Sequence, residues 1–436
     1  MKNGLNTPGL AARAVAISWL RQCLRGQRPL DEVLHEPLPG PPLAARDRNL
    51  ARLIVLTTLR RLTEIDGILA ELMSRGMPRK SGDLREILQT AAAQLLFLDM
   101  PPHAVVDCAI KLARKDRNAR HLKNLANAVL RNIARQGKEL KAGAEAGRLN
   151  SPDWLWQSWV ASYGEAGARA IAEAHLQPAP LDLSVKEDAP GWADRLGGAL
   201  LPTGSVRLAR AGAIPDLPGF AEGEWWVQDA AAAIPVRLFE DLSGKHALDL
   251  CAAPGGKSAQ MAQAGAQVTA LDISRRRLGR LAENMDRLHL NADMVAADAL
   301  EWQSDTRFDA VLLDAPCSST GTIRRHPDVQ RLKTPDMIET LVPVQTSLLE
   351  KAYHRLKPGG ELVYCVCSLQ PEEGAERIAA FLQDHADMAR KPIDCAALGL
   401  PPEALTRNGD LQLRPDMFAE QGGIDGFFIS VMNRQV

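Results

Sequence analysis

Leu10, Ala14, Ile17, Leu20 and Leu24 recur at spacings of three and four. Leu50, Leu53, Leu56 and Leu59 follow the same spacing around Arg52, Arg60 and Arg61. It places the apolar side chains on one helix face, so residues 1–141 read as all-helical. Proline-rich breaks at Pro37–Pro42 and Pro101-Pro102 separate the helices. A further helix is expected over Asp107–Gly137, and polar Lys138–Asn150 reads as a linker.

From Ser151 the pattern changes. Trp154, Trp156 and Trp159 open a short helical region, and strand-like pieces such as Leu181–Val185 follow, so residues 151–230 read as a connecting α/β subdomain. Beyond residue 231 short apolar runs alternate with helical stretches. Strands are expected at Ala247–Leu250, Val268–Leu271, Met294–Ala296, Ala310–Leu313 and Leu362–Val366, with helices over Arg275–Leu288 and Pro335–Leu356 between them. Strands separated by helices predict a doubly wound, mainly parallel sheet with its ligand site at the carboxyl ends. The fold class is therefore α/β over residues 231–436, preceded by an all-α domain.

Charge sharpens this division. Through Lys141 the chain carries 24 Lys and Arg against 13 Asp and Glu, whereas the remainder carries 28 against 40. A basic helical module suits a polyanion. Its densest patch is Lys111, Arg114, Lys115, Arg117, Arg120 and Lys123, continued by Arg131 and Arg135. No run approaches the roughly 20 apolar residues of a membrane helix. The apolar stretch Ala14–Leu20 is too short for a secretory leader and lies between Arg13 and Arg21. Seven cysteines at irregular spacing fit a reducing cytoplasm.

The residues with chemistry fall at strand ends. After the first strand of the α/β domain comes Cys251-Ala252-Ala253-Pro254-Gly255-Gly256-Lys257, where adjacent glycines permit a tight turn and close approach of a ligand. Asp272 follows the second strand, placed to accept hydrogen bonds from ribose hydroxyls. Asp298 follows the third, either beside an adenine or as a helix N-cap. Asp314 ends the fourth. A dinucleotide fingerprint is absent, and a phosphate loop would need glycine where Cys251 stands. Gly-Gly, Asp, Asp and Asp in that order favour S-adenosylmethionine as cofactor.

Two strand ends carry thiols: Cys317 after the fourth, in Asp314-Ala-Pro-Cys-Ser-Ser-Thr-Gly321, and Cys367 after the fifth, in Tyr364-Cys-Val-Cys-Ser368. Cytosine C5 is a poor nucleophile until a thiolate adds to C6 and makes C5 enamine-like. Such a site needs a thiolate, an acid near N3, for which Asp314 is placed, and a base for the C5 proton. Pro316-Cys317 is the arrangement of DNA cytosine methyltransferases and Cys367 that of the RNA enzymes; having both favours the RNA class. Cys23, Cys108, Cys365 and Cys395 are expected to pack as small hydrophobes. No metal is expected, since Cys365-x-Cys367 lacks a second pair at ligand spacing.

These motifs resemble those of the bacterial ribosomal RNA cytosine-5 methyltransferases of the Sun/Fmu type. The likeness extends to Asp272-Ile-Ser274 with Arg277-Leu278, Arg324-Arg-His-Pro-Asp328, Val227-Gln-Asp-Ala-Ala231 and Asp425-Gly-Phe-Phe428. The N-terminal module is similar to the RNA-binding fold of the antitermination factor NusB. The resemblance implies a Rossmann-like domain that methylates C5 of a cytosine in 16S ribosomal RNA through a covalent Cys–C6 intermediate. It implies that Cys251–Lys257, Asp272, Arg277, Asp298 and Asp314 meet the cofactor, that Cys367 is the nucleophile and that Cys317 assists release. A monomer bound to small-subunit ribosomal RNA is expected; the alternatives are the same chemistry on transfer RNA, or a non-catalytic assembly factor. Two positions depart from the family pattern. Val366 stands where threonine usually precedes the nucleophile, and Leu183-Ser-Val-Lys186 stands where Arg-Val-Asn is commoner.

Overall fold

The structure is a computed structural model that describes residues 8–37, 43–209 and 212–436. Most of the expected break at Pro37–Pro42 lies outside the described residues. The chain forms two compact units, Met1–Gln177 with Ile323–Lys333, and Pro178–Thr322 with Thr334–Val436.

Nine helices are described in the N-terminal part of the first unit: α1 (Leu10–Leu24), α2 (Leu30–His35), α3 (Ala45–Arg60), α4 (Leu62–Leu72), α5 (Leu84–Phe97), α6 (Pro102–Lys115), α7 (Lys123–Leu140), α8 (Ala146–Asn150) and α9 (Asp153–His175). Their apolar faces close over Trp19, Leu20, Ile54 and Leu59 on one side, and over Ile65, Leu88, Leu96, Leu130 and Ile133 on the other. Each such side chain stabilises the fold by roughly 1.5–3 kcal/mol. Two expectations fail here. The single helix over Asp107–Gly137 is two helices, because Asp116 Oδ1 accepts the N–H groups of Asn118 and Ala119 at 2.8 and 2.7 Å and turns the chain between them. The expected linker Lys138–Asn150 is largely helical and tied down. Buried Glu64 accepts the Ala142 N–H at 2.9 Å and the Asn150 amide at 3.3 Å, and Asn150 Oδ1 accepts the Glu64 N–H at 3.2 Å.

The second unit begins with β1 (Leu181–Val185), α10 (Ala189–Leu196), β2 (Ala199–Leu200), β3 (Val206–Leu208) and β4 (Trp225–Val227). The strands form a small antiparallel sheet in the order β2-β3-β1-β4. Its buried Arg207–Asp182 ion pair, at 2.7 Å, is also hydrogen-bonded to the Gln421 and Gly423 carbonyls and the Ala230 N–H.

Next in the chain come β5 (His246–Leu250), α11 (Gly256–Gln263), β6 (Gln267–Asp272), α12 (Arg275–Arg287), β7 (Asp293–Ala296), β8 (Phe308–Asp314), α13 (Val329–Leu332, which belongs to the first unit), α14 (Pro335–Arg355), β9 (Leu356–Val366), α15 (Ala375–Asp384), β10 (Met388–Arg390), β11 (Leu411–Leu413) and β12 (Phe427–Arg434). The main sheet runs β10-β12-β9-β8-β5-β6-β7, with β11 also on β12. Strands β9, β8, β5, β6 and β7 are mutually parallel, and β12 is antiparallel to β9. All five expected strands are present, each within a few residues of its expected position. In register, Leu250 lies opposite Leu271 and Leu313, and Asp314 opposite Cys365, so the five carboxyl ends share one rim. Crossover connections that put helices on both faces force that arrangement.

The segment Ile323–Lys333, which follows the Cys317 loop, belongs to the helical unit. Arg60 donates to the Arg324 carbonyl at 2.8 Å, Asp328 accepts the Leu30 N–H at 2.9 Å, and Arg331 reaches Thr63 and the Asn150 carbonyl. The Arg324-Arg-His-Pro-Asp328 motif thus serves the first unit.

Candidate active site

At the rim the chain leaves β5 through Cys251, whose φ of 63° is left-handed, and reaches Gly255 at φ 103°. A Cβ on Gly255 would stand 2.5 Å from Leu281 Cγ, so this glycine serves the packing of α12. A Cβ on Gly256 would meet only Gln228, at 3.5 Å. Of the two glycines, only Gly256 leaves an open side for a ligand. Asp272 is 2% exposed; Oδ2 accepts the Ala253 N–H at 3.2 Å and Oδ1 the Ser274 N–H at 2.8 Å. Arg277 lies 3.4 Å from the Asp272 carboxylate and also donates to the Ala253 carbonyl, so the second strand end and the glycine turn form one structure. Asp298 is exposed, and its Oδ1 accepts the Leu300 N–H at 2.9 Å in a local turn. No helix starts at Asp298 among the described residues, so this is a side-chain turn rather than a helix N-cap.

A cavity of about 400 Å³ is lined by Ala252, Ala253, Pro254, Gly256, Lys257 and Asp314, together with Phe220, Trp226, Gln228, Arg280 and Arg287. Asp272, Asp298 and the two candidate thiols lie outside its lining. Lys257 donates to Asp314 Oδ2 at 2.7 Å. Burial works against the Lys257 ammonium, but Asp314, Cys365 and Asp249 together hold it above its ordinary value. Burial also pushes Asp249 up to about 7, opposed by the Ser258 hydroxyl at 2.6 Å and by Lys257. The Cys251 thiol is pushed up to about 12 by burial and then by Asp314, so it stays protonated at neutral pH. Val227-Gln-Asp-Ala-Ala231 is a scaffold. Gln228 accepts from Ser184 at 2.7 Å and from the Trp226 indole at 2.8 Å, and donates to Gln260 at 2.7 Å. In this chain, therefore, Ser184 of Leu183-Ser-Val-Lys186 points inward.

Cys317 and Cys367 meet, with their sulfurs 3.5 Å apart. The hydrogen bond to Cys367 is the largest influence raising the Cys317 thiol well above its ordinary value, followed by burial. Cys317 therefore keeps its proton and can donate it to Cys367 Sγ. The loops are joined by the Gly321 N–H, which donates to the Cys367 carbonyl at 3.0 Å, and by Gly426 of the closing motif, which donates to the Gly321 carbonyl at 2.8 Å. A Cβ on Gly321 would stand 2.0 Å from the Gly426 oxygen, which explains a glycine there. Cys365 is fully buried, and its thiol lies 3.6 Å from Asp314 Oδ1. Cys23 and Cys108 are buried as small hydrophobes, while Cys395 is half-buried. Val366, in place of threonine, is buried in β9 opposite Phe428.

Sequence reasoning missed a group beneath these loops. Glu373, fully buried, accepts from the Ser318 N–H at 2.8 Å, the Ser318 hydroxyl at 2.5 Å, the Ser368 hydroxyl at 2.5 Å and the Gln345 amide at 3.0 Å. The one available signal was a serine directly after each cysteine.

The 16S rRNA methyltransferase RsmB/F family model matches residues 237–433, and the NusB family model matches residues 10–135. The ribosomal RNA small subunit methyltransferase B of Serratia proteamaculans is 38% identical over 408 residues, covering 89% of this chain and 92% of its own. The chain belongs to the 16S rRNA methyltransferase RsmB/F family. The Vibrio cholerae member is 34% identical over 441 residues and 97% of each chain. Among solved structures, that of PH0851 covers 99% of this chain and 100% of its own with a TM-score of 0.77 at 22% identity, a likeness of fold. A methyltransferase homolog protein from Pyrococcus horikoshii covers 67% of this chain and 99% of its own, with a TM-score of 0.56 and 28% identity. The fold is therefore a NusB-type helical domain followed by a Rossmann-like methyltransferase domain, and the activity is that of an RNA methyltransferase. The cofactor read from the strand ends, S-adenosylmethionine, is the one this family uses. Among the described residues no helix is long and apolar enough to cross a membrane, and no cluster of metal-ligating side chains occurs.

Proposed function

We propose that the protein methylates C5 of a cytosine in small-subunit ribosomal RNA, with Cys367 as nucleophile and Cys317 as the group that releases the product. The observation that carries this reading is the 3.5 Å approach of the two sulfurs, a contact that, with burial, raises the Cys317 thiol well above its ordinary value. The turn at Ala252–Lys257, with Asp272 beneath it, fits the cofactor: Gly256 leaves its flank open, and a buried carboxylate stands at the next strand end. Bound S-adenosylmethionine supplies an electrophilic methyl group. Arg277 and Asp298 complete that rim.

The target base must leave its stack to enter the site. Cys367 Sγ then adds to C6, and charge develops at N3. The Lys257–Asp314 pair meets that charge, with Lys257 holding the proton and Asp314 orienting it. After C5 has gained its substituent, the C6–S bond breaks as Cys317 gives its proton to the departing Cys367 sulfur, and the C5 proton passes to the Cys317 sulfur in its place. The exposed Arg114, Lys115, Arg117, Arg120, Arg131 and Arg135 of the helical unit offer phosphate contacts to the RNA. The curated relatives are named as small-subunit ribosomal RNA methyltransferases, which supports that substrate over transfer RNA.

Cys367→Ala should be inactive and form no covalent RNA complex. Cys317→Ala should turn over poorly yet accumulate a denaturant-resistant complex with RNA that already carries its methyl group. A denaturing gel shift distinguishes the two. An adduct with Cys367→Ala and none with Cys317→Ala would reverse the roles.

A further inference from the structure

The Glu373 carboxylate makes no hydrogen bond to either thiol, although its charge is among the influences that raise the Cys317 thiol. Its four donors are neutral, and three of them belong to the residues that directly follow the two cysteines: the Ser318 N–H, the Ser318 hydroxyl and the Ser368 hydroxyl. The fourth, Gln345, also donates to the Pro316 carbonyl at 2.9 Å, so it braces the Cys317 loop from its other side.

An ionised carboxylate only accepts, and that fixes the direction of the whole array. With both serine hydroxyls committed to Glu373, the Ser368 oxygen is free to accept the Gln370 N–H at 3.0 Å. Thr320 Oγ1, 3.2 Å from Ser368 Oγ, accepts the Leu369 N–H at 3.0 Å. The Tyr364 hydroxyl then donates to the Glu373 carbonyl at 2.6 Å and anchors the loop that carries the carboxylate to β9. Hydrogen bonds to a charged group are about twice as strong as neutral ones, and a buried array of this kind admits one geometry.

We infer that Glu373 is a positioning residue that holds the Cys317 and Cys367 loops together and so sets the distance between the two thiols. This rests on the thiol roles proposed above. A misplacement of about 1 Å in a reacting group can cost on the order of a hundredfold in rate. Loosening either serine therefore degrades proton donation from Cys317 to Cys367 without touching the cofactor turn.

Glu373→Gln keeps the shape but turns one acceptor into a donor facing two hydroxyls. The expected result is a kcat lower by about 10- to 100-fold, with RNA KM and S-adenosylmethionine affinity within about twofold of wild type. A second readout needs neither RNA nor turnover. A diazene oxidant closes two adjacent thiols to a disulfide: each thiol loses a proton and an electron, and the diazene takes up both pairs to become a hydrazine. The Cys317–Cys367 disulfide, identified by peptide mass, should form at least about tenfold more slowly in Glu373→Gln. Ser368→Ala and Ser318→Ala should show the same signature more weakly. Adding Glu373→Gln to the double serine variant should cost little more, because the three groups act as one unit. If Glu373→Gln fails to fold, the serine variants decide alone. Wild-type thiol pairing and kcat overturn the inference, as does a loss that only follows a fall in cofactor affinity. Since the pairing rate is read without RNA, it stands or falls separately from the assignment of Cys367 as nucleophile.

Discussion

Replacing Asp272 with Asn tests the cofactor rim at its most buried point. The carboxylate is 2% exposed and receives the Ala253 N–H at 3.2 Å and the Ser274 N–H at 2.8 Å. Asparagine keeps one acceptor, which suits Ser274, but turns an N–H₂ toward the Ala253 N–H. That leaves a buried backbone donor unsatisfied, at a cost of about 1–3 kcal/mol in stability. The ribose loses a charge-assisted acceptor worth about 1.5–3 kcal/mol, or roughly ten- to a hundredfold in affinity. Calorimetric titration with S-adenosylmethionine measures the second term, and denaturant unfolding the first. Ser274→Ala is the control. It removes the α12 N-cap, whose hydroxyl accepts the Arg277 N–H at 3.3 Å, and should cost about 1 kcal/mol of stability while leaving cofactor affinity near wild type. A folded Asp272→Asn protein with wild-type affinity would refute the reading of this strand end.

Two other outcomes follow from the helical unit. Reversing Arg114, Arg117 and Arg120 to Glu should weaken RNA binding and flatten its salt dependence by about 0.7–0.9 per lost phosphate contact, with cofactor affinity unchanged; an unaltered salt slope measured by filter binding would exclude this face. His175 is buried against Trp159, and burial first, then Arg324 and Arg60, depress its pKa to about 3. The unfolded chain takes up that proton near pH 6.5 and the folded one does not, so stability falls with acidity between about pH 6.5 and 3. The slope from this group is about 1.4 kcal/mol per pH unit, and His175→Gln should remove it from urea unfolding curves.

The rim was legible because a parallel sheet converts sequence order into spatial adjacency. Asp272, Asp314, Cys317 and Cys367 each end or follow an apolar run, and the run locates them. What joins the site below the rim was not legible. Ser318, Ser368, Gln345 and Glu373 lie in irregular segments or on a long helix, where no periodicity marks a buried acceptor. Gly255 makes the tight turn its sequence predicts, at φ 103°, but its close neighbour is Leu281, a contact set by helix packing. The split between α6 and α7 depends on one local side-chain hydrogen-bond pattern at Asp116, which competes with a helical continuation that propensity alone favours. Polar Lys138–Asn150 reads as a linker because nothing in its composition marks that the Ala142 N–H and the Asn150 amide tie it to buried Glu64.

Ile323–Lys333 makes the helical unit a discontinuous domain, with consequences for synthesis and for engineering. The Leu30–Asp328 hydrogen bond spans 298 positions of sequence, so on the ribosome the first unit must wait for most of the chain before its last piece arrives. Contacts of such separation form late, and until then the buried surface around Arg60 and Thr63 stands open. A fragment starting at Pro178 would carry those eleven residues with nothing to pack them against. A chimaera that exchanges the helical unit between relatives has to exchange two pieces of gene, the second lying immediately after the loop that carries Cys317.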